Sequence, residues 1–322
     1  MNRVIGLLFT AFVVLAAGFA FSARPLPPMP ATETHIRNAL LLDAQRGGQR
    51  LVTVGEHGYI FVSDDAGGNW RRVSTATDVT LTSVAFADAQ LGLAVGHDAV
   101  ILRSEDGGNS WKEVFRDSKQ FRPLLRVMFV DKQRAIAVGA YGAFYESMDG
   151  GLTWAERQIT TEDRHFNALV RLADGTLVLA GEAGTLLRSG DGGTHWEKLA
   201  SPYAGSFFGL LPLAQGGVLA FGMRGNIFRS EDRGDTWQAV VAGSDSALFG
   251  GLASDGLVVL VGQNGTVLAS RDDGRTFTRV STKASRILSA VLRSQQQGGE
   301  DGILVFGEGG VARIALPPGG RQ

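Results

Sequence analysis

The sequence predicts an all-β fold, a seven-bladed β-propeller of four-stranded blades, and three observations carry that expectation. Six copies of the pattern Ser-x-Asp-x-Gly-x-x-Trp run through the 322 residues and use all five tryptophans of the chain, the sixth copy ending in phenylalanine. A second turn, of the form Gly-x-x-Gly, recurs at nearly the same interval. Between the turns lie short β-rich apolar runs broken by Gly and Asp, with no helical period.

The first pattern occupies residues 63–70 (SDDAGGNW), 104–111 (SEDGGNSW), 147–154 (SMDGGLTW), 189–196 (SGDGGTHW), 230–237 (SEDRGDTW) and 270–277 (SRDDGRTF). Its closing aromatics are 41, 43, 42, 41 and 40 residues apart, so one β-unit of about 42 residues is repeated. Turn chemistry accounts for every fixed position. Asp65, Asp106, Asp149, Asp191, Asp232 and Asp272 are placed to accept backbone N–H groups inside a tight turn, and the leading serines do the same more weakly. The glycine supplies a backbone conformation that a β-carbon penalises. Trp70, Trp111, Trp154, Trp196, Trp237 and Phe277 are large enough to cover the hairpin and the seam with a neighbouring unit. The pattern reads as a clasp. It is no calcium loop, because the alternating oxygen ligands and distal Glu are missing.

The Gly-x-x-Gly turns begin at Gly55, Gly96, Gly139, Gly181, Gly222, Gly262 and Gly307; the second copy ends in Ala99 instead of glycine. Seven turns with six clasps imply seven units, the last incomplete at its C-terminal end. None of the turns is a phosphate cradle, since no GxGxxG precedes a helix and no GK[ST] occurs. In the second unit the strands fall at 81–86, 93–95, 99–104 and 111–115, and runs such as 124–129 and 207–211 repeat the plan. A four-stranded unit of this length is a propeller blade. A solenoid of equal period would need atypical caps at both ends, and the first unit is regular. A strand from 31–36 is the expected donor for closing the ring.

The domain plan is a signal peptide or N-terminal anchor at 1–23, a Pro-rich spacer with the closing strand at 24–37, the propeller at 38–316 and a tail at 317–322. Residues 4–21 are apolar or small behind the cationic start MNR, and SARPLPPMP follows. That order describes a secretory signal with cleavage after Ala20 or Ala23, although eighteen apolar residues also reach the threshold of a membrane anchor. Either places the propeller outside the cytoplasm, in the periplasm or on the extracytoplasmic side of the inner membrane. Without cysteine the chain has no lipoprotein anchor, disulfide or thiolate-held metal. With 31 Lys+Arg against 32 Asp+Glu, there is no general electrostatic grip on nucleic acid.

Clasps following VGxxG strand pairs, seven units behind an export signal, resemble the photosystem II stability/assembly factor family of exported seven-bladed propellers. The clasp itself resembles the Asp box of bacterial neuraminidase repeats, sortilin-type receptors and some glycoside hydrolases. The resemblance spans roughly 38–314. It implies a non-catalytic assembly scaffold that binds a newly inserted membrane protein, or, in a non-photosynthetic bacterium, a scaffold beside a membrane transporter. It implies no cofactor.

The rival reading is a carbohydrate-active propeller enzyme. A sialidase needs an arginine triad and a Tyr nucleophile with a Glu partner, yet Tyr59 and Tyr145 fall in repeat strands and Tyr141 in a turn. No paired carboxylates stand out for a glycosidase. His57 and His97 fall in equivalent hairpins of adjacent units and lack a third metal ligand. No catalytic residue and no metal site are assigned. Because clasps join third and fourth strands, they share one face, and the Gly-x-x-Gly turns share the other with the blade connections. That second face is where the repeat varies. Its two longest connections, 116–124 and 157–166, hold Arg116, Lys119, Arg122, Arg157, Arg164 and His165 with Phe121 and Phe166. With Arg126, Tyr141 and Arg224 they form the expected partner-binding patch, suited to an acidic loop or tail of a membrane protein because Arg forks bind carboxylates and aromatics anchor interfaces. The alternative for these residues is ordinary solvated loops.

Overall fold

The computed structural model describes residues 2–21, 35–117, 119–282, 286–294 and 302–317. The chain divides into two compact units, Met1–Thr34 and His35–Gln322. The first carries one helix, Asn2–Ala20; among the described residues no helix is long and apolar enough to cross a membrane. Ala23 and the Pro-rich spacer lie outside the described residues.

The second unit is a seven-bladed propeller: six sheets of four sequential antiparallel strands and a seventh with three among the described residues. Blade 2 consists of Leu81–Phe86, Gly92–Gly96, Ile101–Ser104 and Lys112–Phe115. Its third strand starts two residues later than its sequence implies, because Ala99 belongs to the preceding turn with a left-handed φ of 50°.

Burial explains why each blade needs neighbours on both sides. Second strands such as Leu177–Gly181 are buried throughout. Leu177 and Leu179 pack toward blade 3, and Val178 and Ala180 toward blade 5. This is the two-residue period of a strand covered on both faces. Seven apolar clusters result, one per seam, including Leu41, Leu51 and Phe61 of blade 1 with Leu304 and Phe306 of blade 7. This apolar seam and an antiparallel bridge between Leu40 and Glu308 join the two ends of the ring. Residues 31–34 of the expected closing segment lie outside the described residues. Ile36 sits in a short 3-10 turn, Ile36–Asn38, and its carbonyl lies where a Cβ on Gly310 of the last strand would be, only 2.2 Å away.

The glycines that open the Gly-x-x-Gly turns are needed for closeness. Gly181 has an extended φ of −164°, open to any residue, but a Cβ there would stand 2.0 Å from the carbonyl of His165. That carbonyl accepts the N–H of Glu182 at 2.9 Å, and the same contact recurs in the other blades, as from Glu56 to Leu40 and from Gln263 to Ala247. The closing glycine has a different reason: Gly184 has a φ of +74°, the left-handed region that disfavours side chains.

Clasps also join blades. Arg103 donates to the carbonyl of Gly150 at 2.8 Å, and Arg229 to that of Asp273 at 3.1 Å. Arg50 reaches the carbonyl of Gly107 at 3.1 Å. In each case an arginine of one blade grips the clasp of the next. Blade 7 lacks a clasp, and there Arg271 of blade 6 holds the carbonyl of Pro317 at 2.8 Å.

Candidate partner-binding surface

The clasp carboxylates are fully engaged. In the third clasp Ser147 donates to Asp149 at 2.8 Å, the N–H of Gly151 donates back to Ser147 at 2.8 Å, and the N–H of Thr153 reaches Asp149 at 2.9 Å. The Thr153 hydroxyl closes on the second carboxylate oxygen at 2.5 Å. That hydroxyl, ahead of the backbone N–H, holds the Asp149 carboxyl at about 2 against desolvation. Asn69, Ser110, His195, Thr236 and Thr276 stand at the same position in the other clasps and donate to their own aspartates. This second donor was legible as a run of Asn, Ser, Thr and His, and the pattern read from the sequence omitted it. Trp70 meets Phe306 of blade 7 edge-on at 5.8 Å, and Trp196 meets Phe144 of blade 3 at 5.9 Å, so these aromatics do cover seams. Clasp geometry is spent on holding hairpins and blades together.

On the opposite face the structure brings together part of the expected patch. Arg122 donates to the carbonyl of Tyr141 at 3.4 Å, the N–H of Gly142 donates to the carbonyl of Arg164 at 2.8 Å, and the Tyr141 and His165 rings meet at 4.8 Å. The blade 3 turn thus bridges the connections 116–124 and 157–166. Phe121 and Tyr141 are 55% and 54% exposed. Both have left-handed φ, 50° and 54°. The φ of Tyr141 is shared by His57, Asp98, Ala183, Arg224 and Asn264 at the same turn position, so it belongs to the repeated turn.

The cations are less free than their sequence implies. Arg116 is held by Glu113 at 2.8 Å and Asp98 at 3.4 Å. Arg122 is 13% exposed, paired with Glu156, and donates to the Tyr145 hydroxyl at 3.2 Å. It is a strut under the loop. Burial first, then donation to Asp117, pushes the Tyr145 hydroxyl up to about 12, so it stays a donor. Arg164 pairs with Glu162 at 3.0 Å and keeps an exposed edge. Lys119 and Arg224 make no side-chain ion pair among the described residues, and Arg224 sits apart on the blade 5 turn.

Two arginines lie elsewhere. Arg157 pairs with Glu146 at 2.8 Å and donates to Gly193 and Thr194 carbonyls in the blade 4 clasp, so it couples blades. Arg126 lines the axial channel and donates to Asp43 at 3.3 Å. The channel follows from a bulge: every first strand slips register at its second residue, as at Leu42, Thr82, Asn167, Phe208 and Phe249, and these line the axis.

Residues 117–252 match the family model described as Photosynthesis system II assembly factor YCF48. No curated protein matches the sequence. Among solved structures, "YCF48 bound to D1 peptide" is 20% identical, with a TM-score of 0.69 over 87% of this chain and 94% of that one. YCF48 from Cyanidioschyzon merolae is 18% identical, with a TM-score of 0.67 over 90% and 97%. The WD40 propeller domain of Doa1 is 15% identical, with a TM-score of 0.66 over 88% and 94%. At such identities these structures establish the propeller fold.

Proposed function

We propose that this photosystem II assembly factor-like propeller is a non-catalytic scaffold that binds an extracytoplasmic segment of a membrane protein on its Gly-x-x-Gly face. The observation that carries this reading is the pair of half-exposed aromatics, Phe121 and Tyr141, beside Arg164 and His165 where the two longest connections meet. Aromatic anchors edged by an arginine are the usual composition of an interface centre. A solved structure of YCF48 holds a D1 peptide, which supports a peptide-like segment as the bound element. The partner is a photosystem II subunit or, in a non-photosynthetic host, a membrane transporter.

The apolar helix Asn2–Ala20, with Arg3 in its first turn, supports export as part of this reading. The propeller then works in the periplasm or anchored beside the inner membrane, and the intact mass of the mature protein distinguishes cleavage after Ala20 or Ala23 from retention. The functional test is chemical crosslinking in detergent-solubilised membranes. A crosslink from the connection 116–124 to a membrane-protein loop or tail is expected. Turnover of saccharides by the purified propeller would overturn the scaffold reading in favour of a glycosidase.

A further inference from the structure

The seven bulges make the axial channel chemically lopsided. Its volume is about 320 Å³, and among its lining residues Asp43 and Arg126 are the charged pair. Asp43 is almost fully buried and needs little from the arginine. Its first carboxylate oxygen accepts the N–H of Ala44 at 2.9 Å. Its second accepts the Ser83 hydroxyl at 2.9 Å and the N–H of Val84 at 3.0 Å. Arg126 adds one longer bond at 3.3 Å, and its side chain is 36% exposed. A guanidinium has five N–H donors, and among the described residues Asp43 is the side-chain partner of this one, which lines the channel. Another blade turns in Asn167, whose amide nitrogen is fixed by the carbonyl of Phe207 at 2.8 Å.

Blades 5 and 6 supply the opposite chemistry. Phe208 and Phe249 stand at equivalent bulges with ring centroids 5.5 Å apart, inclined by 39°. Gly209 and Gly250 follow them in the same lining. A cation with donors unfilled among the described residues thus shares a small channel with an aromatic pair, the combination of orienting polar groups and apolar wall that small-molecule sites use.

We propose that the axial channel binds a small organic acid, its carboxylate on Arg126 and its apolar body against Phe208 and Phe249. This site is separate from the surface around Tyr141 and independent of the scaffold reading. Charge-assisted bonds from a guanidinium to a carboxylate are among the strongest single contacts available to such a ligand. Asp43, already satisfied by three other donors, need not release them when Arg126 turns to the acid.

The probe is 3-phenylpropionate, titrated by calorimetry into the full chain, with 3-phenylpropanol as the uncharged counterpart. Saturable binding of the acid at least about tenfold tighter than the alcohol is expected. Arg126→Gln, which keeps length and polarity, is expected to remove that preference, and Phe249→Leu to weaken acid binding without removing it. Absence of saturable binding, equal binding of acid and alcohol, or a preference surviving Arg126→Gln each overturns the proposal. The acid–alcohol comparison on the unaltered protein decides the matter even should a variant fold poorly.

Discussion

Arg313, on the last strand of blade 7, donates to the carbonyl of Ala66 in the first clasp at 3.1 Å. It joins the two ends of the ring by the contact that joins the other blades through their clasps. Arg313 also holds the Ser294 hydroxyl at 2.8 Å. Replacing it by Gln leaves the clasp carbonyl short of its charged donor, and a loss of about 1–3 kcal/mol is expected. The urea midpoint of Arg313→Gln against Arg224→Gln, on a turn arginine without an ion pair among the described residues, measures this. Equal midpoints would show that the apolar seam and the Leu40–Glu308 bridge close the ring without it.

Two glycines at the same turn position should differ. A Cβ on Gly184 would lie 2.2 Å from the carbonyl of Tyr203, whereas one on Gly142 finds its nearest neighbour at 3.5 Å. Both have left-handed φ, 74° and 69°. Gly142→Ala is expected to cost about 1–2 kcal/mol from backbone strain alone. Gly184→Ala adds a backbone clash and is expected to cost more than about 2 kcal/mol on that basis. Thermal denaturation of the two variants checks the order, and equal losses contradict it.

The clasps set the acid limit of the fold. Asp65, held down chiefly by the N–H of Asn69, and Asp149, held down chiefly by the Thr153 hydroxyl, ionise at about 2 in the folded chain against 3.8 ordinarily. A carboxyl lowered by folding stabilises the native state above its unfolded value, and that contribution goes as pH falls through the folded value. Stability is therefore expected to be level from neutral pH to about 4 and to fall between there and about 2. Denaturant midpoints across that range, with Asp149→Asn as the flatter comparison, measure the effect. A main loss above pH 5 would assign the acid limit to other groups.

The strut role of Arg122 separates folding from binding. Among the described residues its Nε is buried without a hydrogen-bond partner, while Nη2 holds both Glu156 and Tyr145 and Nη1 reaches the Tyr141 carbonyl. Charge reversal there would face Glu156 with a like charge. Arg122→Glu is expected to lower stability by about 3 kcal/mol or more, read as a shifted urea midpoint. An unshifted midpoint would return Arg122 to the exposed surface.

The fold was legible because its signals are local. Ser147, Asp149, Gly151 and Trp154 make one turn within eight residues, and its repetition counts the blades. The blade couplers were half visible, since Arg103 and Arg229 directly precede clasp serines. The patch was legible only in outline. The fates of its cations depend on partners distant in sequence: Glu156 lies 34 residues from Arg122, and Asp43 lies 83 from Arg126. Pairing across blades cannot be read from spacing along one. The need for glycine at the opening turn position is likewise invisible along the chain, because Gly181 meets the His165 carbonyl across its own blade.

The scaffold claim rests most directly on Phe121 and Tyr141. Both side chains are more than half exposed, so Phe121→Ala with Tyr141→Ala should leave the urea midpoint within about 0.5 kcal/mol of the parent. The decisive measurement is recovery of membrane-protein partners by the tagged, folded double variant from detergent-solubilised membranes. Loss of the partners that the unaltered propeller retains is the expected result; undiminished recovery would contradict the claim.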